Sequence, residues 1–167
     1  TKVCIICPKH GEFWQTPPKH ANGARNCPSC NHSVAESLTR EALEEIFNLP
    51  LPTTRSLDWL RNPQTDAYLE LDGYNEQHKI AFEFQGIQHY EPIKWYGGEE
   101  GLEKRQYRDK IKNNLCLQNN VILIRVDGRK IPNKVRTTKE QIKPYIKEQL
   151  EKLPKIQKEK ILSLLMR

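Results

Sequence analysis

Hydrophobic residues recur at intervals of four along residues 34–47, which is the period of an amphipathic helix. The apolar stripe consists of Val34, Leu38, Ala42 and Ile46. Pro50 follows shortly afterwards, and proline is common just beyond the end of a helix. The pattern therefore predicts a helix over VAESLTREALEEIF that ends before Pro50.

Three later segments have the pattern of strands. YLELDGY (68–74) and KIAFEFQ (79–85) alternate their side chains, and the NEQH segment between them predicts a hairpin. VILIRV (121–126) is a continuous apolar run, which is typical of a strand buried on both faces. The chain thus supplies a hairpin and one further strand for a sheet.

Helical patterns return between and after these strands. LEKRQYRDKIKNNLCLQ (102–118) predicts a second helix, and the three glycines in residues 95–101 predict a mobile loop before it. The lysine-rich tail predicts helices interrupted at Pro144 and Pro154. The order of helix, hairpin, helix and strand predicts a mixed α/β unit.

The first thirty residues have a different composition, with four of the five cysteines and two of the five histidines. Such a segment cannot build a hydrophobic core, so it needs a cross-link. A disulfide would need an oxidising compartment, and nothing in the sequence indicates secretion. Zn²⁺ needs four N or S ligands, which CPKH and CPSC deliver as two close pairs from tight turns. We predict a structural zinc site formed by Cys7, His10, Cys27 and Cys30.

Two further residues leave the ligand set open. Cys4 forms a competing C-x-x-C pair with Cys7, but it stands in the strand-like run VCII, where a cysteine is more often a small core residue. His20 lies between the two ligand pairs. We therefore expect a zinc ribbon over residues 1–32, an α/β core over residues 33–130 and a basic helical extension over residues 131–167.

Composition places the chain among folded globular proteins. It has 167 residues, of which 29% are charged and 37% hydrophobic, and its net charge is +6. A positive charge favours a polyanionic partner such as DNA, although a basic surface alone gives the same value. No apolar run approaches the roughly 18 residues of a membrane helix, and no signal peptide is visible. We expect an intracellular protein, in the cytoplasm of a bacterial or virus-infected cell, and we interpret the initial Thr1 as the mark of a fragment or processed chain.

Two acidic residues are expected to meet within the predicted hairpin. A turn with an even number of residues would place Asp72 and Glu83 on the same side of the sheet. Two converging carboxylates are costly to bury unless a cation joins them, and Mg²⁺ prefers such oxygen ligands. Solvated surface charges are the alternative, but the apolar neighbours Phe82 and Phe84 argue against it.

These residues also carry a resemblance to a known family. LELDGY, AFEFQGIQHY, QYRDKIKNNLC and VILIRV, in this order, resemble the PD-(D/E)XK nuclease superfamily. The similarity is greatest to its branch of Vsr-like nicking endonucleases and related phage and large-virus homing-type endonucleases. The N-terminal CPKHGEF and CPSC look like the zinc ribbon that often precedes that domain in phage proteins. The resemblance covers residues 3–127 and implies a restriction-endonuclease-like fold, with a mixed sheet flanked by helices.

The resemblance assigns roles to the acidic residues. Asp72 and Glu83 would ligate Mg²⁺, helped by the Phe84 carbonyl. Glu41 corresponds to a glutamate of the first helix that reaches the metal-bound water. An ordinary place on the helix surface, like that of Glu44, is the alternative for Glu41.

The neighbouring polar residues depart in part from the family pattern. Gln85 stands where many members have lysine, so it could position the attacking water but could not offset charge in the transition state. His89 lies near the place where the branch uses a histidine as acid or base, although it could instead pack against Tyr90. Asp109 and Lys112 match the family's D-x-x-K, and a helix salt bridge would explain them equally well.

The sequence therefore predicts a Mg²⁺-dependent DNA endonuclease with catalytic residues Glu41, Asp72, Glu83, Gln85 and His89. One active site per chain would nick DNA unless the protein forms a homodimer. Basic side chains are expected to neutralise DNA phosphates, namely Lys94, Lys104, Arg105, Arg108 and Lys110. The alternatives are a non-catalytic nucleic-acid-binding module on a nuclease fold, and a repair nuclease selective for mismatches or junctions.

Overall fold

The computed structural model describes residues 1–7, 11–18, 34–131 and 138–165. Its contacts divide the chain into two units, Thr1–Ser37 and Leu38–Arg167. The first unit is small, and the second contains the hairpin and helices on which the predicted chemistry depends.

The first unit contains a two-stranded antiparallel sheet. Strands β1 (Val3–Cys7) and β2 (Gly11–Gln15) pair from Val3 with Gln15 to Cys7 with Gly11. Gly11 has a φ of 75°, a left-handed conformation that glycine adopts without strain.

The strand pattern of the first segment is confirmed, but the core position expected for Cys4 is wrong. Cys4 is exposed, while Cys7 is buried at the end of β1. A two-stranded sheet of this size cannot bury both of its faces, so an apolar run here does not imply a core. The other predicted or alternative zinc ligands, His10, His20, Cys27 and Cys30, lie outside the described residues. The zinc site stays a prediction.

The first long helix, α1 (Val34–Phe47), has the predicted bounds. Its buried positions are Thr39, Ala42, Leu43 and Phe47, whereas Leu38 and Ile46 are only partly buried. The buried face is therefore rotated by about one residue from the predicted stripe. This rotation turns Glu41 towards solvent.

The sheet of the second unit has three strands in the order β3 (Gly73–Asn75), β4 (Ile80–Gln85) and β5 (Ile122–Asp127). β3 and β4 pair antiparallel, and β4 and β5 pair parallel. With its flanking helices, the unit is a mixed α/β structure, as the sequence predicts.

The predicted strand over residues 68–74 is wrong in its first five residues. Pairing with β4 begins only at Gly73, while Tyr68 and Leu71 form isolated bridges to Arg61 and Thr54. The alternating pattern arises because Leu69 and Leu71 are buried in a core cluster with Leu60, Tyr74, Ala81, Ile111, Cys116 and Val121. The alternation in this segment therefore reflects contacts with the preceding connection rather than with β4.

Strand β5 differs from the expectation of burial on both faces. Ile122, Ile124 and Val126 are buried, whereas Leu123 is partly buried and Arg125 is exposed. One face of β5 therefore lies against the core and the other carries an exposed arginine.

The second long helix, α2 (Gly98–Gln118), begins four residues earlier than predicted and includes most of the expected loop. Gly97 precedes it in the left-handed conformation with a φ of 87°. A Cβ at Gly101 would lie 2.0 Å from the Tyr96 carbonyl oxygen, so the close approach requires glycine there. Glu99 and Glu100 stabilise the first turn because their negative charges lie at the positive end of the helix dipole.

The tail forms helices α3 (Lys139–Glu151) and α4 (Lys155–Leu165), and α3 packs against β5. Pro154 separates the two helices as predicted, but Pro144 lies inside α3 without interrupting it. Ile142 and Ile146 on either side of Pro144 are fully buried, and this packing holds the helix together across the missing hydrogen bond. No described helix is long and apolar enough to cross a bilayer.

Candidate active site

Asp72 precedes β3 and is held from two directions. The register that pairs Gly73 with Phe82 places Asp72 opposite Glu83. The Phe84 backbone N–H donates a hydrogen bond to Asp72 Oδ2 at 2.7 Å. Arg40 Nη2, from α1, donates to the Asp72 carbonyl oxygen at 2.5 Å. The carboxylate and the backbone of Asp72 are therefore both fixed at the edge of β4.

Glu83 lies at the centre of the sheet and is 5% exposed. Lys112 of α2 reaches it, and the ammonium Nζ lies 2.8 Å from both carboxylate oxygens. Helix α2 lies against this face of β4. Lys112, the lysine of the D-x-x-K pattern, is therefore next to Glu83 of the strand. The salt bridge of Lys112 thus joins the helix to the sheet, rather than staying within the helix.

Burial raises the pKa of Glu83 to about 8. The ammonium of Lys112 lowers this pKa, whereas the negative charges of Asp72 and Asp109 raise it. Three carboxylates thus act on one another here, and Lys112 is the cation in contact with Glu83. The negative charges of Asp72 and Asp109 oppose the ionisation of Glu83, and a bound cation would favour it.

Asp72 and Glu83 are the residues that could hold a cation here. Among the described residues, no three His, Cys, Asp or Glu side chains converge on a single metal position. Mg²⁺ commonly uses only one or two carboxylates and takes its other ligands from water and substrate phosphates. The N–H and C=O of a strand residue point to the same edge, so the Phe84 carbonyl also faces the Asp72 side. Asp72, Glu83 and this carbonyl could therefore contribute oxygen ligands to an ion such as Mg²⁺, but they do not supply four protein ligands.

His89 follows β4 in a short 3₁₀ turn, Ile87–His89, and contacts Asp109 of α2. Its Nδ1 lies 2.7 Å from Asp109 Oδ2, and both side chains are 16% exposed. A carboxylate on Nδ1 fixes the ring orientation and leaves Nε2 to exchange a proton with a ligand. His89 is therefore bound to an acidic residue rather than only packed against Tyr90.

Gln85 is oriented by the same turn. The Tyr90 hydroxyl donates to Gln85 Oε1 at 2.9 Å, so the amide NH₂ is the group of Gln85 that could donate to a ligand. The Arg129 guanidinium lies 3.5 Å from the centre of the Tyr90 ring and pairs with Asp127 at 2.8 Å. Burial raises the pKa of Tyr90, so its hydroxyl stays protonated and can donate.

Similar proteins are found in three viruses. The chain is 37% identical over 95 residues to uncharacterized protein 033L of Invertebrate iridescent virus 3, covering 56% of this chain and 48% of that protein. It is 37% identical over 116 residues to uncharacterized protein 307L of Invertebrate iridescent virus 6, covering 65% and 56%. It is also 42% identical over 107 residues to uncharacterized protein 094L of Frog virus 3 (isolate Goorha), covering 63% and 67%. The chain belongs to the family of this frog virus protein.

The chain spans about half the length of the two invertebrate virus relatives. No protein-family model matches it, and no solved structure matches it. The names of these relatives indicate no activity.

The structure brings Asp72, Glu83, Gln85 and His89 to one end of β4, but it does not bring Glu41 there. Glu41 is exposed on α1, and its charge acts on Lys139 of α3. Arg40, its neighbour, is the α1 residue that contacts Asp72. Sequence reasoning missed Arg40 because the predicted apolar stripe was displaced by about one residue. It also missed the hydrogen bond from Tyr90 to Gln85, although the sequence GIQHY contains both the turn and the hydroxyl.

Proposed function

We propose that this protein is a Mg²⁺-dependent DNA endonuclease of the PD-(D/E)XK superfamily, in its Vsr-like branch. The observation that carries the proposal is Glu83, a carboxylate buried in a central strand beside Asp72 and bonded to Lys112. Buried ionisable groups with shifted pKa values and specific charged neighbours are concentrated at functional sites, which supports a chemical role for Glu83. The restriction-endonuclease-like fold is part of the same proposal and is supported by the β3-β4-β5 order and the helices that flank it.

Each residue at the end of β4 has a role in this proposal. Asp72, Glu83 and the Phe84 carbonyl would hold Mg²⁺, which polarises a phosphate oxygen and lowers the pKa of a bound water. The Gln85 amide would orient the attacking water. Lys112 supplies the positive charge that Gln85 lacks, because its ammonium approaches Glu83 from α2 instead of from the strand.

His89 is suited to move the proton. Held by Asp109, it would accept the proton of the attacking water or give one to the leaving 3′ oxygen. Attack at phosphorus then forms the new P–O bond and breaks the bond to the 3′ oxygen, which leaves 5′-phosphate and 3′-hydroxyl ends.

The basic surface around the site supports DNA as the partner. Lys94, Arg108 and Lys110 are exposed near it, and Trp95 is 93% exposed beside Lys94, as is common where bases stack on a protein. Arg105, expected to contact phosphates, instead donates to the carbonyl oxygens of Gln88 at 2.8 Å and Tyr96 at 2.9 Å. Arg105 therefore holds the segment before α2 in place and is not part of the proposed DNA surface.

The direct test is incubation of the protein with supercoiled plasmid in Mg²⁺ and, separately, in EDTA. Nicked circles that appear only with Mg²⁺ are the expected result, since each chain has one site. Linear plasmid as the first product would indicate a homodimer with two sites. Mismatch and junction substrates in the same assay identify the preferred DNA. Intact plasmid and intact oligonucleotides under all conditions would contradict the proposal.

Binding to DNA should depend steeply on salt. Several lysine and arginine contacts to phosphates predict a linear fall of log affinity with log salt, and a loss of at least about tenfold between roughly 50 and 200 mM salt. Fluorescence anisotropy with a labelled duplex in EDTA measures this without cleavage. An affinity unchanged over that range would remove DNA as the partner.

The N-terminal unit is proposed to hold one Zn²⁺ through Cys7, His10, Cys27 and Cys30. Metal analysis of protein purified without added zinc should find about one equivalent per chain, and Cys27→Ser should lose it. Cys4→Ser is the matched control, because Cys4 is exposed on β1. Zinc retention in Cys27→Ser, or its loss in Cys4→Ser, would change the ligand assignment. His10→Ala compared with His20→Ala decides between the two histidines in the same way.

A further inference from the structure

A cleft lies between α2, β5 and the connection from α3 to α4. Its volume is about 280 Å³. Leu117, Leu123 and Leu153 form part of its apolar wall. Its polar lining consists of Asn113, Arg125, Gln149, Lys152 and Gln157. We call this feature the α2–β5 cleft.

Four of the polar side chains have no partner among the described residues. Within residues 34–131 and 138–165, no hydrogen bond or ion pair engages the side chains of Asn113, Arg125, Gln149 or Gln157. Three amides and a guanidinium that converge on one cavity offer many N–H donors to a ligand. Ligand pockets typically combine an apolar lining with a few such polar groups.

The charge of the cleft is positive. Lys152 pairs with Glu148 at 2.6 Å, and Glu148 also pairs with Lys130 at 2.9 Å. Arg125, by contrast, has no acidic partner among the described residues, although it stands opposite Glu83 in the register of β4 and β5. Lys112 takes that carboxylate, so the Arg125 charge remains available to a ligand in the cleft.

The cleft is next to the candidate active site. Adjacent strands lie about 4.8 Å apart, so Arg125 is one strand from Glu83 and on the same face of the sheet. Asn113 follows Lys112 directly in α2, and the charge of Glu83 is felt at Cys116 in the cleft lining. A strand of DNA cut at Glu83 would therefore reach the cleft with a neighbouring nucleotide.

We propose that the α2–β5 cleft binds one nucleotide of the substrate strand adjacent to the cleavage site. Arg125 and Lys152 bind its phosphate, the amides bond to its polar edges, and its sugar or base lies on the leucine wall. This proposal rests on the proposed function for the position of the strand, but the cleft itself can be tested by binding alone. It gives the C-terminal helices a role in holding substrate.

Two variants separate this cleft from a merely basic surface. Arg125→Gln removes the unpaired charge, and Leu117→Trp fills the cleft without changing charge, since Leu117 is exposed at its edge. Lys147→Gln, exposed on α3 outside the lining, is the charge control. Leu162→Trp, exposed on α4 and also outside it, is the size control.

Affinity for a fluorescein-labelled oligodeoxynucleotide is measured in EDTA, with thermal unfolding to confirm that each variant is folded. Arg125→Gln should weaken binding about tenfold and lower the salt slope by about one. Leu117→Trp should weaken binding with the slope unchanged, and both controls should bind like the original protein. If Leu117→Trp bound the oligodeoxynucleotide as tightly as its control Leu162→Trp, the DNA would not occupy the cleft. That result would overturn the proposal. Plasmid nicking by the same proteins tests the nuclease proposal separately from the binding assay. A protein without a functional cleft could still cleave DNA, and a protein that does not cleave DNA could still bind it in the cleft.

Discussion

Replacing Glu83 with glutamine should abolish Mg²⁺-dependent cleavage of plasmid DNA. Glutamine keeps the shape of the side chain but removes the charge that would bind the ion. Metal ions contribute several kcal/mol to such reactions, which corresponds to a loss of at least about a thousandfold in rate. Single-turnover cleavage of a labelled substrate measures this loss without the contribution of product release.

Above about pH 8, where Glu83 is ionised, the same variant should bind DNA as well as the original protein or better, because removing a negative charge reduces repulsion of the phosphates. Glu41→Gln is the matched control, since Glu41 is exposed on α1 and has no contact with Asp72 or Glu83 among the described residues. Gln85→Ala should reduce the rate less than Glu83→Gln, because the carboxylates remain and only the orientation of water suffers. Cleavage by Glu83→Gln at the original rate would exclude a role for this strand in catalysis and with it the nuclease proposal.

The elements found correctly from the sequence are those whose pattern depends on local periodicity. α1 has the predicted bounds because its apolar spacing and the following Pro50 both indicate them. β4 was found because its core residues, Ile80 and Phe82, share one face of a short apolar run. The meeting of Asp72 and Glu83 followed from the alternation of side chains and the length of the turn.

The errors arose where a long-range contact decides the structure. The glycines of residues 95–101 predict a loop, but the helix already begins at Gly98. Gly101 lies in its first turn, where the Tyr96 carbonyl oxygen leaves no room for a side chain. Arg40 of α1 contacts the sheet, and its guanidinium lies 5.3 Å from the centre of the Phe82 ring. The periodicity of the helix does not contain information about that contact. The sequence therefore predicts Glu41, and not Arg40, as the residue of α1 at the candidate site.

The bond between Glu83 and Lys112 shows the same limit within the site. The pattern D-x-x-K in α2 gave the residues, but a salt bridge inside the helix explained them equally well until the helix was placed on β4. In the folded protein, Lys112 forms an ion pair with Glu83, and Asp109 contacts His89. The two members of the pattern therefore have separate partners. Side-chain partners across elements are a property of packing, and a single sequence does not contain them explicitly.

Substitution of Lys112 by methionine should destabilise the protein in a pH-dependent manner. The pKa of Glu83 is about 8 when folded, above its ordinary value of 4.5, so the folded protein holds a proton that the unfolded chain releases. Stability from this group is present below about pH 4.5 and is lost as the pH rises towards 8. Without Lys112, the folded pKa rises further, because its ammonium lowers that pKa and because Asp72 and Asp109 still raise it.

The difference between the two proteins should therefore be small at pH 6, where Glu83 is protonated in both when folded. Above about pH 8 it should grow by roughly 1.4 kcal/mol per pH unit, because only the variant retains its proton. Urea unfolding in EDTA between pH 6 and pH 9.5 measures this difference, and Lys147→Met is the control for loss of an exposed lysine on α3. Mg²⁺ should restore part of the lost stability at high pH, since a cation between Asp72 and Glu83 replaces the missing ammonium. A destabilisation by Lys112→Met that is the same at every pH would show that Glu83 is not the group that Lys112 stabilises. An absence of any Mg²⁺ effect on stability would show that Asp72 and Glu83 do not bind the ion.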